Sequence, residues 1–149
     1  MKKIAVVFCF AFLAAAMAQD AKPDAQPDVK KLEAGAVGVI RTLNTAEVTY
    51  AATYGSFSCS LGSMAVRAEG SGYTADHAGL IDNTIKDDKK RMYHFEVACL
   101  DGKPPKGYKT SATPLVKGAR AFCSDQTAVI KFATDGKAKT CLEKGELLH

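Results

Sequence analysis

Apolar side chains recur at steps of three and four along Val29, Leu32, Ala36, Val39, Leu43, Ala46, Tyr50 and Tyr54, the spacing that lines up one face of an α-helix. Asp28, just after Pro27, supplies an N-cap, and Gly55 takes the position after the last turn, where a left-handed residue ends a helix. The pattern predicts one helix of roughly 25 residues. A helix with a single apolar stripe has to bury that stripe against a second layer. Gly35 and Gly38 interrupt it, each costing up to ~1 kcal/mol relative to alanine in a helix interior. A close packed neighbour and a locally bent first half are both compatible with them.

The second layer is written further along. Residues 57–90 read as short elements and turns, with Ser60 capping a brief helix over Leu61–Ala68, a break at Glu69-Gly70-Ser71-Gly72, and a helical turn over Ala78–Ile85. From Arg91 the period changes to two: Tyr93, Phe95, Val97 and Cys99 alternate with His94, Glu96 and Ala98, the pattern of a strand with one buried face. A turn rich in Gly and Pro follows at 101–107, and Tyr108–Pro114, Ala119–Ser124 and Ala128–Ala133 read as three more strands. The predicted fold class is α+β: a long N-terminal helix packed on a small antiparallel β-sheet of about four strands.

The segment before the helix is of another kind. Lys2 and Lys3 precede the apolar run Ile4–Ala16, and Ala16-Met17-Ala18 is a small-x-small site, together the pattern of a secretory signal over residues 1–18 with cleavage after Ala18. Residues 19–28 carry two prolines and no apolar run, a flexible linker, which leaves 29–149 as a single domain. The chain has 149 residues and a formal charge of +4; losing the signal removes two lysines and leaves about +2. No stripe of Lys and Arg with interleaved aromatics remains, which argues against a nucleic-acid partner. No apolar run reaches the ~18–20 residues of a membrane span, so no membrane insertion is expected after cleavage. The expected location is periplasmic or secreted.

Cleavage also removes Cys9 and leaves Cys59, Cys99, Cys123 and Cys141. Four cysteines in an exported chain read as two disulfides. Three connectivities are open on spacing alone; the preferred one joins Cys59 with Cys99 and Cys123 with Cys141. No C-x-x-C pair is present, which argues against a redox dithiol or zinc ribbon.

Catalytic motifs are lacking. His77, His94 and His149 share no ligand spacing, and neither H-E-x-x-H, G-x-S-x-G nor a P-loop occurs. Asp76-His77 with upstream serines can be drawn as a triad, but a triad is recognised by geometry, and no spacing singles out a carboxylate pair. The run Lys86-Asp87-Asp88-Lys89-Lys90-Arg91 reads as a solvated connector in preference to an anion-binding patch, because its two aspartates cancel much of the field. No catalytic residue, metal or cofactor is expected. Tyr50, Tyr54 and Phe57 read as core where helix meets sheet.

The run Ile40-Arg41-Thr42-Leu43-Asn44-Thr45-Ala46-Glu47-Val48-Thr49-Tyr50-Ala51-Ala52-Thr53-Tyr54-Gly55 resembles the second half of the long helix of bacterial type IV pilins and type II secretion pseudopilins, where it enters the globular head. Gly107-Tyr108, Pro114 and the stretch from Gly118 through Arg120, Phe122 and Asp125 to Lys131 are similar to the strands of such heads. The resemblance spans Val29 to about Lys131. A pilin also carries a prepilin-peptidase site and an uninterrupted apolar half-helix with a glutamate at its fifth position; neither stands here. The resemblance implies an exported, soluble, pilin-like domain without enzymatic activity, acting by surface or helix-mediated assembly with a pilus, secretion-system or other envelope protein, or with itself. The apolar stripe Val29, Leu32, Ala36 and Val39, beyond the reach of a small sheet, is the expected interaction face. The alternatives are a small-molecule or polysaccharide-binding module, with a pocket lined by aromatics, and a secreted hydrolase, with a cleft of converging Ser, His and acidic groups.

Overall fold

Asp28 opens the long helix as expected: its Oδ1 accepts from the backbone N–H of Lys30 at 3.1 Å and of Lys31 at 3.3 Å. Helix α1 then runs without interruption over Val29–Tyr54, a rod of about 39 Å. It stops at Gly55, whose φ of 80° turns the chain left-handed while its N–H reaches Ala51 O. The computed structural model describes residues 27–66 and 72–149. The expected signal, residues 1–18, lies outside these, as do most of the 19–28 linker and most of the break at 69–72. Both glycines sit in regular helix, and a Cβ added at Gly35 or Gly38 would meet nothing within 4 Å. Among the described residues neither makes room for a packed neighbour.

Between helix and sheet lie short pieces: α2 (Leu61–Met64), a 3₁₀ turn (Asn83–Lys86) and α3 (Asp88–Arg91). Only one turn of the helix expected from Leu61 forms among the described residues, because Ala65 turns extended and bridges Ile81 in parallel. The same bridge keeps 78–81 out of the helical turn expected there. Met92 closes α3 at φ 58° and turns the chain into the sheet.

The sheet has five strands where about four were expected: β1 (Tyr93–Cys99), β2 (Tyr108–Pro114), β3 (Ala121–Asp125), β4 (Lys131–Ala133) and β5 (Glu146–Leu147), all antiparallel in sequence order. A further helix, α4 (Ala138–Lys144), stands between β4 and β5. It buries only Cys141, so no periodicity announces it. Its start is held by Asp135, which accepts from Lys137 N at 3.0 Å and Thr140 Oγ1 at 2.8 Å. Ala128, at φ 59°, delays β4 to Lys131.

Successive residues of a strand face opposite sides, and both sides of this sheet are used. Phe122 and Ser124 face α1, with Tyr93, Phe95, Tyr108 and Ala112 beside them; Phe122, Tyr93, Phe95 and Ala112 make the main core with Ile40, Leu43 and Met64. Cys123 faces away and with Ala133 and Cys141 forms a second small cluster under α4. Two disulfides form, Cys59–Cys99 and Cys123–Cys141, with Cα separations of 4.8 and 5.9 Å, distances that a disulfide spans. They are the preferred pairs. Two disulfides point to an oxidising, extracytoplasmic location, and among the described residues no helix is long and apolar enough to cross a membrane.

Candidate functional site

The stripe expected to be an open interaction face is mostly inside the molecule. Ala36 and Val39 retain 2% and 6% of their surface, and Val29 and Leu32 are half-buried against the same core. The first half of α1 is drawn onto the sheet by a fastening that apolar spacing does not reveal. Glu33 Oε1 accepts from Arg120 N at 2.8 Å, and its Oε2 accepts from Arg120 Nε at 3.0 Å and Nη2 at 2.8 Å. Arg120 in turn lies over the Phe132 ring, 4.7 Å from its centroid, and Tyr93 donates to Arg120 O at 2.9 Å. Burial pushes Glu33 upward, but the hydrogen bonds and charge of Arg120 outweigh it and hold the carboxyl below its ordinary value.

The second half of α1 meets the sheet through a polar seam. Tyr108 donates to Asn44 Oδ1 at 3.2 Å, Asn44 Nδ2 to Ser124 Oγ at 2.9 Å, and Ser124 Oγ to Val129 O at 3.0 Å. Thr110, in the same row, keeps its buried hydroxyl unpaired. Glu47 is fully buried and accepts from Ser58 N at 2.9 Å and Ser58 Oγ at 2.8 Å. Its burial pushes its pKa above the usual range, and the hydrogen bonds from Ser58 and the Cys59 backbone offset only part of that. Burial, with the charge of Glu47, also lifts Tyr108 to about 12. The Asn44 chain knits helix to sheet, and Glu47 ties the helix to the half-buried loop at Ser58. Tyr50 is likewise buried, while Tyr54 and Phe57 are half-buried, with Phe57 5.1 Å from the Tyr108 ring.

What α1 leaves exposed is its outer face: Gly38, Arg41, Thr42, Thr45, Val48, Thr49, Ala52 and Thr53. Thr42, Thr45, Thr49 and Thr53 each donate to the carbonyl four residues back, at 2.8 to 3.1 Å. Their donors are therefore spent within the helix, and the face carries threonine methyls beside Val48, which is 56% exposed. Thr42, Thr45 and Thr49, with Leu80, border a shallow hollow of about 450 Å³.

The histidines, which carry no catalytic motif in the sequence, lie apart in the structure. His94 is exposed, with Nδ1 2.7 Å from Asp88 and Nε2 3.7 Å from Glu96; the Asp88 hydrogen bond raises its pKa more than exposure loss lowers it. His77 is tied by its backbone to Thr74 in a small turn. Among the described residues no three His, Cys, Asp or Glu side chains converge as a metal-ligand set. Two arrangements escaped sequence reasoning: the Glu33–Arg120 fastening, which joins residues 87 apart, and a basic hollow where α3 meets the start of α1. No family model, no curated protein and no solved structure matches this chain.

Proposed function

We propose that this chain is an exported, pilin-like interaction domain without enzymatic activity, which works by docking the outer face of α1 against a pilus, secretion-system or other envelope protein, or against a second copy. Export runs through a secretory signal removed after Ala18, and the mature domain acts in the periplasm or outside the cell. It neither binds nucleic acid nor inserts into a membrane. The observation that carries the reading is the threonine ladder on α1. Its hydroxyl donors are already bonded to the helix, so a partner helix or sheet covers methyl groups and Val48 without stranding donors. The long helix packed on an antiparallel sheet is consistent with the family resemblance, and the disulfides fasten the loop after that helix to β1 and helix α4 to β3. Thr45→Arg places a charge in the middle of the face without touching the core. The native domain is expected to self-associate in sedimentation experiments or to cross-link to an envelope protein in cells, and Thr45→Arg to abolish this at unchanged thermal stability. A native domain that stays strictly monomeric at high concentration and cross-links to nothing overturns the reading.

A further inference from the structure

The basic run before β1 does not behave as the connector its sequence describes. Four carboxylates accompany it, each with an oxygen held by a local donor while it keeps its charge: Asp28 Oδ1 by α1 N–H groups, Asp82 Oδ1 by Thr84 N at 2.6 Å, Asp87 Oδ1 by Lys90 N at 3.1 Å, and Asp88 Oδ2 by His94. Segments 28–31 and 82–91 together hold six Lys and Arg against these four acids, so a positive excess remains. Lys31, Lys90 and Arg91, together with Asp28, border one hollow of about 230 Å³ whose floor is Leu32, Gly35, Ala36 and Phe95, so three cations stand against one carboxylate on its rim. Among the described residues neither Lys31 nor Lys90 has an acidic partner within 4 Å. Arg91 is immobilised without being used up: Nε donates to Thr84 O and Nη2 to Thr84 Oγ1 at 2.8 Å, two of the five N–H groups a guanidinium carries.

We infer that this hollow is a docking site for an acidic segment of a protein partner, one that inserts a single aliphatic or aromatic side chain between flanking Asp or Glu residues. This rests on the reading of the chain as an interaction domain and names the chemistry of one partner. Two features select that occupant. The volume falls below the roughly 300–1,000 Å³ of small-molecule sites, and suits one anchor side chain of the kind that dominates protein interfaces. The rim carries a net positive charge, Lys31, Lys90 and Arg91 outnumbering Asp28, and the floor is apolar, so the occupant carries both an anionic and an apolar group, and the prepositioned Arg91 fork favours a carboxylate.

The probe is a fluorescein-labelled ten-residue peptide with one Phe flanked by Glu on both sides, titrated into the whole mature chain by anisotropy at low salt. Binding is expected, weakened about ten-fold or more when the peptide's Phe is replaced by Ala or its Glu residues by Lys. Lys90→Glu is expected to weaken it about as much. Gly35→Leu fills the hollow at a position where a Cβ meets nothing within 4 Å; it abolishes binding while circular dichroism and thermal melting report an intact fold. Thr45→Arg leaves binding unchanged. Absence of binding, or equal binding of the Phe-less peptide, overturns the inference while α1-mediated assembly can stand. Two further outcomes also overturn it: self-association that Gly35→Leu blocks makes a second copy the occupant, and phosphatidylglycerol-vesicle binding that Lys90→Glu abolishes makes it a membrane. Loss of assembly with peptide binding intact overturns the α1 docking face alone.

Discussion

Glu47 is a carboxylate enclosed by its own fold with two Ser58 groups and no cation. Its ionisation is therefore a cost that folding carries. Because the folded pKa lies above the unfolded one, the native state holds that proton more tightly, and stability falls as pH rises from the ordinary glutamate range through the raised value. Glu47→Gln is expected to flatten this slope and to gain stability relative to the native chain at pH 8, measured as urea midpoints across pH 4 to 8. A native slope of the opposite sign would mean that Ser58 and the Cys59 backbone hold the anion more strongly than burial opposes it. Glu33 has the reverse arrangement: its lowered pKa makes the Arg120 pair a source of stability above the unfolded value, lost as pH falls through the folded one.

At the scale of elements, α1 spends its inner face on the sheet and keeps its outer face free. Gly38 lies on that outer face with open space where a Cβ would stand. Gly38→Ala is expected to stabilise the isolated domain by up to about 1 kcal/mol, read from chemical denaturation; a loss of stability would mean that the glycine serves a contact within the chain. The helix itself was legible because its signals are local: Asp28, the three-and-four spacing and Gly55 lie within the segment they define. The alternation of β1 was legible for the same reason. Helix α4 and strand β5 were not, since a seven-residue helix with one buried side chain and a two-residue strand are shorter than any period. The fate of Ala36 and Val39 was hidden because it depends on Glu33 reaching Arg120, and two charged residues at that separation carry no mark of being partners. The hollow rim was hidden similarly: Lys31 and Lys90 lie far apart in sequence, and only the fold sets Lys90 and Arg91 beside the start of α1 while Asp87 and Asp88 stay off the rim.

Among the described residues the molecule is a sheet with α1 on one face and α4 on the other; one disulfide joins the loop after α1 to β1 and the other joins α4 to β3. Cys59–Cys99 closes a separation of 40 residues and Cys123–Cys141 one of 18. In the chain-entropy model these restrict the unfolded state by about 4 and about 3 kcal/mol respectively. Replacing Cys59 and Cys99 together by Ala is thus expected to cost more than replacing Cys123 and Cys141, by about 1 kcal/mol in equilibrium unfolding. The opposite order would show that the α4 cluster depends on its disulfide beyond chain entropy. The two closed intervals, 59–99 and 123–141, neither overlap nor nest. A chain threaded into an oxidising compartment from its N-terminus delivers Cys59, Cys99, Cys123 and Cys141 in that order, so each native partner is the next thiol to arrive. Oxidation in order of arrival would produce the native pairs, so oxidative refolding of the reduced domain is expected to reach them with an oxidant alone and to gain no yield from an added isomerase.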